Sequence, residues 1–366
     1  MERLLIPAIF ILASSAIVVG QSLSAIADSI RHSNSIPALG YAVFRSDTIL
    51  ELEVLGLKRN DGGERVDRAS RFHLGSNTKA ITAFIAAKLV EEGRIHWSTR
   101  FFDLYPELEA DAQADYAAIT LQDLLAHRAG VQPFTDGKEF KKLKLEGARE
   151  EEDDIRFARY LLGRPPNKPK GGEQSVYSNA GYALAAMMLE QAAQDSYAGL
   201  VEQFMNKQLG LEAQFGWPHR ADSSQVYGHQ GKSWGHKNLR PLTGSDGYAI
   251  NGLIAPAGDL NMTLPDYVRF LQAHLRGLDG ASEVLSGETF RHLLFGLPDY
   301  ALGWGNGLSK DRQIASHDGS GGTFYCHAVL IEPWGLGIAL VANTAEEAGV
   351  EGLYALRQAI LQAYRR

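Results

Sequence analysis

The chain has a single cysteine, Cys326, among its 366 residues. One thiol cannot build an intramolecular disulfide framework, a cysteine-based zinc site or a Cys-x-x-Cys redox pair. Basic blocks are missing as well: 36 Lys and Arg stand against 43 Asp and Glu, a net charge of −7. Without clustered positive charge to neutralise phosphates, nucleic acid is not an expected partner. The sequence contains no His-Glu-x-x-His and no internal repeat. Those absences speak against the helical zinc-peptidase signature and solenoid architectures. His219, His229 and His236 lack ligand spacing and read as polar loop histidines rather than a metal site. Gly231-Lys232-Ser233 ends like a phosphate loop, but Val226 stands where the first glycine is needed. What remains is the composition of a folded globular protein, 45% hydrophobic and 22% charged, large enough to bury a substantial core. No cofactor or metal is expected.

The N-terminus is set apart by its own composition. Met1-Glu2-Arg3 precedes an apolar run from Leu4 to Gly20, broken only by Pro7, Ser14 and Ser15. Its length falls between a signal-peptide core and a transmembrane helix. Cleavage near Gly20–Gln21 is the leading reading, and an uncleaved membrane anchor is the alternative. A buried helix fits less well because the run has no polar face. Residues 1–21 are therefore expected as a leader or anchor and 22–366 as the folded body, in a periplasmic or secreted location.

In the body, Leu39–Arg45 and Thr48–Leu55 read as a β-hairpin turning at Ser46-Asp47. Thr78 to Glu92 is an alanine- and leucine-rich helix stopped by Gly93. Thr120–Ala126 is a short helix capped by Thr120. Lys138–Asp154 is a charge run with a solvated surface, and residues 165–172, rich in Pro and Gly, form a loop. Helices are expected at Asn179–Ala193 and Tyr197–Leu209, a loop-like stretch over Gln214–Gly252, and helices again at Leu264–Leu275 and Ser286–Leu294. Strand-like runs follow at Tyr300–Trp304, Thr323–Ile331 and Gly335–Ala342, then a helix from Gly349 to Tyr364. Strands at both ends of the body and helices between them imply an α+β fold. Its antiparallel sheet is assembled from both chain ends, with a helical region inserted at roughly residues 95–255.

Three constellations carry chemistry. Ser76-Asn77-Thr78-Lys79 opens the long apolar helix, and i, i+3 spacing lets the Ser76 hydroxyl meet the Lys79 amine. A lysine desolvated in a cleft has a lowered pKa and can act as general base. The helix start would also set backbone N–H groups beside an acyl oxyanion. Tyr177-Ser178-Asn179 begins another helix; its phenol can share protons with a lysine, and the Asn179 amide can hold that lysine and a substrate carbonyl. Helix capping by Ser178 or Asn179 is the plainer reading of this segment. His317-Asp318-Gly319-Ser320 is expected at the head of a strand, with His317 and Gly319 on one face and Asp318 on the other. There Gly319 would give a substrate room and the Ser320 N–H would donate to an oxyanion. His229-Gln230-Gly231 repeats the His-x-Gly pattern in a segment read as irregular. Trp217, Trp234 and Trp304 could line a cleft or pack in the core.

In this order the motifs resemble the serine β-lactamase and penicillin-binding-protein superfamily, in its class C β-lactamase-like branch of esterases and D-amino-acid peptidases. Phe72–Lys79 is similar to the nucleophile box, and Val90–Ile95 to the segment closing its helix. Leu124–Val131 matches the leucine–histidine–glycine element, with Ala129 where Ser is usual. Tyr177–Tyr182 is similar to the tyrosine box, Pro256–Leu260 to a proline–glycine turn, and His317 with Ala339–Thr344 to the third box and the strand behind it. The resemblance implies a serine hydrolase working through an acyl-enzyme, with Ser76, Lys79 and Tyr177 catalytic and Asn179, His317, Gly319 and Ser320 binding substrate. Many relatives carry lysine where His317 stands, a permanent cation for a substrate carboxylate. The histidine form implies an ester, amide or peptide substrate and little β-lactamase activity. A non-catalytic sensor or scaffold is the rival reading. Ser76, Tyr177 and His317 lie 101 and 140 residues apart, so one site draws on nearly the whole body.

Overall fold

The computed structural model describes residues 22–143, 152–169, 171, 174–231, 239–243, 246, 249–309 and 312–364. The expected leader or anchor over residues 1–21, the Gly231-Lys232-Ser233 comparison beyond Gly231, Trp234, His236 and residues 144–151 of the charge run lie outside the described residues.

The main sheet is antiparallel. Strands β1 (Ala38–Phe44) and β2 (Ile49–Gly56) form the expected hairpin, closed by Arg45 N–H donating to Thr48 O. The other members come from the far end of the chain: β8 (Gly305–Ser309), β9 (Arg312–Ser320), β10 (Tyr325–Ile331) and β11 (Leu336–Ala342). Their order is β2-β1-β11-β10-β9-β8, so the first strand pairs with the last, Leu39 against Ala342. Strand β1 is buried throughout, as a strand covered on both faces must be, whereas β2 lies at an edge and mixes exposed with buried residues. Short strands β3 (Arg71–His73), β4 (Gln214–Phe215) and β7 (Leu260–Thr263) form a second sheet, and β5 (His229–Gly231) pairs with β6 (Leu239–Pro241).

Five long helices organise the layers. Helices α1 (Leu23–Ser33) and α5 (Glu347–Ala363) cover the outer face of the main sheet, where Leu353, Leu356 and Ile360 pack on Leu39, Tyr41, Val43, Ile338 and Leu340. On the inner face lies the larger core, with α2 (Thr78–Glu91), α3 (Asn179–Ala193) and α4 (Leu264–Leu278). The two helices α2 and α3 are apolar nearly all round and buried nearly all round, as a central helix requires. Thr120 caps its short helix through Asp123 N, and Ser178 caps α3 through Gly181 N.

The sequence expectations need three corrections. Tyr300–Trp304 is not a strand: Ala301 N–H donates to Trp304 O in a tight bend, and the strand begins at Gly305. His317 lies near the end of β9 rather than at its head. His229 is in a strand, where its N–H meets Asn343 O and its ring is held between Asn343 O and Asn60 N–H. The Tyr197–Leu209 segment is helical as expected, but continues from Tyr197–Val201 into a wider π-type turn at Glu202–Gln208. Trp217 and Trp304 are buried, so packing is the reading that holds for both.

Candidate active site

Ser76 sits in a single 3-10 turn, Gly75–Asn77, that leads directly into α2. The turn is held from three sides. Gly75 has φ +52°, and a Cβ there would lie 2.5 Å from Ser320 N. A Cβ on Gly319 would strike Leu74 O at 2.0 Å and Asn77 N at 2.9 Å. The end of β9 therefore packs backbone against backbone on the serine turn, and only glycine fits at either contact. Gly319 was expected to make room for a substrate; the group that occupies its room is the protein's own serine turn. Beneath the turn, Gly75 N–H donates to His73 Nδ1 at 3.1 Å. With Nδ1 accepting, Nε2 carries the proton and donates to Asp259 at 3.2 Å. The His73 ring also stacks on Trp217 at 4.6 Å. On the third side, Asn77 Nδ2 donates to Cys326 O and Tyr267 hydroxyl to Asn77 Oδ1. The lone cysteine is a buried packing residue of β10.

One turn along α2, Lys79 is wholly buried, and its amine meets three oxygens: Asn179 Oδ1 at 2.7 Å, Ala257 O at 2.8 Å and Ser76 Oγ at 3.2 Å. Among the described residues no carboxylate pairs with it, and burial holds its pKa well below the usual lysine value. A neutral amine has two N–H bonds and one lone pair. The two short contacts go to oxygens that only accept, which leaves the lone pair for the Ser76 hydroxyl. This is the arrangement needed to draw a proton from Ser76.

Tyr177 closes the cage from above, with Lys79 Nζ 4.7 Å from the centre of its ring. The residue is 37% exposed overall, while its hydroxyl lies in a buried environment. That local burial raises the phenol's pKa, partly opposed by a hydrogen bond with Ser76. It therefore holds its proton and can pass one on.

The segment that presents Tyr177 is clamped by residues to which sequence reasoning assigned no role. His127 lies in the left-handed region at φ +59°, its carbonyl accepting from Val176 N–H and its Nδ1 from Ser178 N–H. Ser178 hydroxyl donates to Gln132 O, Asn179 N–H to Pro133 O and Asn179 Nδ2 to Phe134 O. The leucine–histidine–glycine element is thus a cradle for the tyrosine segment. Within it, Asn179 acts on Lys79 through Oδ1 while its amide group holds Phe134.

His317 lies on the buried face of β9, near Lys79, as alternation required, and Asp318 is on the other, more exposed face. Beyond Ser316 the strand has no partner on the β8 side among the described residues, since pairing there starts at Gly305↔Ser316. Burial, and then the nearby Lys79, push the His317 ring down to about 3, so it is neutral at any ordinary pH. Its Nε2 lies 3.0 Å from Tyr300 hydroxyl and its Nδ1 2.8 Å from Asp318 O. Tyr300 also packs on His127 and Tyr177. Nothing in the local sequence marks Tyr300, because its role depends on a histidine 17 residues later on a different element. Behind the strand, Asp318 Oδ1 accepts from Tyr325, Tyr354 and His327 Nδ1. Among the described residues no group of acidic, histidine or cysteine side chains is arranged to hold a metal ion.

Sheet, helical layer and serine–lysine cage together have the form of a serine hydrolase of the β-lactamase and penicillin-binding-protein superfamily. The chain belongs to the beta-lactamase family, whose sequence profile matches residues 23–362. It is similar to penicillin-binding protein 4 of Amycolatopsis lactamdurans, 26% identical over 332 residues that cover 86% of this chain and 83% of that one. Other relatives are longer, and the chain spans 54–60% of their length. Among solved structures it resembles SurE, with TM-score 0.73, 22% identity, and coverage of 93% of this chain and 75% of that one. It also resembles the class C beta lactamase from Rhodobacter sphaeroides, with TM-score 0.70, 21% identity, and 93% and 99% coverage. At such identities the two structures show the fold.

Proposed function

We propose that this serine hydrolase cleaves an ester, amide or peptide through an acyl-enzyme on Ser76, and is a poor β-lactamase. Lys79 Nζ takes the Ser76 proton as Oγ adds to the substrate carbonyl. The Ser76 and Ser320 backbone N–H groups donate to the oxyanion. Collapse expels the leaving group, which receives a proton through the Tyr177 hydroxyl, itself reprotonated from Lys79. Water then adds to the acyl-enzyme by the same relay in reverse, releasing the acid and free Ser76. The observation that carries this reading is the buried, carboxylate-free Lys79 with its amine directed at Ser76. The neutral His317 supports the poor β-lactamase activity, because a β-lactam's carboxylate would find no cation there.

The test is labelling with a fluorophosphonate alongside steady-state hydrolysis of a p-nitrophenyl ester. Wild type should label and turn over, while Ser76→Ala should do neither. Full turnover by Ser76→Ala sinks the mechanism. A single stoichiometric burst without turnover would instead make the protein a sensor or scaffold, and efficient β-lactam hydrolysis at pH 7.5 would remove the substrate assignment.

A further inference from the structure

Past Asn179, helix α3 carries a second patterned face. Ala183, Ala186, Met187 and Glu190 follow one another at i, i+3, i+4 and i+7, so they share one side of the helix. That side forms one wall of a cavity of about 350 Å³, within the range of small-molecule sites. Phe157, Phe215, Pro256 and the ring of Tyr197 line it as well. None of Ser76, Lys79, Tyr177 and His317 does. Glu190 stands 11 residues beyond Asn179, about 16 Å along the helix axis.

The charge in this lining is of one sign. Glu190 and Asp154 are carboxylates, and no Lys, Arg or His stands among the described lining residues. Glu190 Oε1 accepts from Tyr197 N–H at 2.6 Å, which fixes the carboxylate in the cavity wall. Its Oε2 accepts from no donor among the described residues. Burial, partly opposed by the Tyr197 N–H and reinforced by Asp154, Glu152 and Asp195, holds this carboxyl above its usual value, the mark of a carboxylate without a counter-cation. Tyr197 and Phe215 meet edge to face, ring centres 6.0 Å apart. Tyr197 hydroxyl is bonded to Thr82 Oγ1 at 2.7 Å, so the residue offers the cavity its ring. Aromatic walls beside an open carboxylate are the chemistry that holds an organic cation.

We propose that this cavity is a binding site, separate from Ser76, for a small organic ammonium, its apolar body seated against Phe157, Met187 and Phe215 and its N–H groups donating to Glu190 Oε2. A neutral molecule of the same shape fills the apolar part and leaves the carboxylate without a cation. An anion of that shape is repelled by Glu190 and Asp154. The site does not depend on the acyl-enzyme reading, because no group of the serine cage takes part in it.

The experiment titrates the full chain at neutral pH with phenylbutylammonium, phenylbutanol and phenylbutyrate, one apolar body with three charges, by isothermal titration calorimetry. The ammonium should bind about tenfold or more tighter than the alcohol, and the carboxylate weakest of the three. Glu190→Gln keeps an oxygen for Tyr197 N–H and removes the charge. It should weaken the ammonium about tenfold and leave the alcohol unchanged. Met187→Trp fills the cavity and should abolish binding of both. A crystal structure of wild type soaked in the ammonium decides the placement even if neither variant folds: density at Glu190 supports the site, and density only at Ser76 overturns it. No binding of the ammonium, equal affinity for ammonium and alcohol, or binding unaltered in folded Glu190→Gln also overturns it. The serine chemistry stands in each of these cases, since its own test is labelling and ester turnover.

Discussion

On the outer face of the main sheet, α1 and α5 lay leucine and isoleucine on leucine, valine and isoleucine, with Asp318 and its partners as a polar knot at one end. On the inner face, the sheet and its helical layer bury His73, Asn77, Lys79, His127 and His317 as well as a hydrophobic core. A buried polar group left without a partner costs about 1–3 kcal/mol, and the inner face supplies Asn179 and Ala257 for Lys79, Asp259 for His73 and Tyr300 for His317, while His127 Nε2 has no partner among the described residues. One face stabilises and the other positions chemistry. The difference should be separable by substitution.

The largest effect is expected at Lys79. Lys79→Met keeps the volume and removes the base, so kcat/KM should fall by about a thousandfold or more. Stability should be unchanged or higher, since an apolar side chain in a buried site costs no desolvation. Wild-type activity should fall on the acid side as Lys79 takes up a proton, and His317 should contribute no step near its ordinary value of 6.5. Loss of folding with loss of activity in Lys79→Met would show that the inner face is not separable in this way. The outer face should behave oppositely: Leu356→Ala should cost about 2–5 kcal/mol in urea unfolding, with kcat per folded molecule unaltered. A kcat that drops with it would mean that the two faces are coupled.

Smaller effects refine the comparison. His73→Ala removes the support under the serine turn without touching substrate, and kcat should drop by about tenfold at constant KM. A change confined to KM, or none, would deny His73 a positioning role. The smallest effect belongs to Asp318, whose carboxyl is held down to about 2, with hydrogen bonds from His327, Tyr325 and Tyr354 outweighing the cost of burial. A depressed carboxyl stabilises above its unfolded value and ceases to do so as pH falls through the folded one. Its side chain is nearly half exposed, so solvent screening leaves about 1 kcal/mol. Asp318→Asn should lose that amount at pH 7, the gap closing between about pH 4 and pH 2. A gap constant across that range would place the stabilisation in shape rather than charge.

What could be read from the sequence follows from how locally each feature is encoded. The Ser76–Lys79 spacing, the Thr120 and Ser178 caps and the β1–β2 hairpin depend on residues within a few positions of one another, and they stand where they were expected. Most of strand β9 escaped notice because its inner face carries Ala315, His317 and Gly319 instead of large apolar side chains. At Gly319 that face abuts the serine turn, where bulk is excluded. The His73–Asp259 pair spans 186 residues and the Lys79–Ala257 contact 178, and a backbone carbonyl leaves no trace in side-chain pattern. The glycine at 319 was noticed, but only the packed turn reveals what it makes room for.

The pairing of the first strand with the last has a consequence for how the protein is made. Leu39 waits for Ala342, and at about 5–20 residues per second that is roughly 15–60 s of synthesis. Throughout that interval the hairpin has one open edge and the serine turn has no strand against it. A chain released early, even one containing Ser76, Lys79 and Tyr177, carries all three groups and no working site. The closing strands act as a timer that keeps a reactive serine silent until β11 has been made.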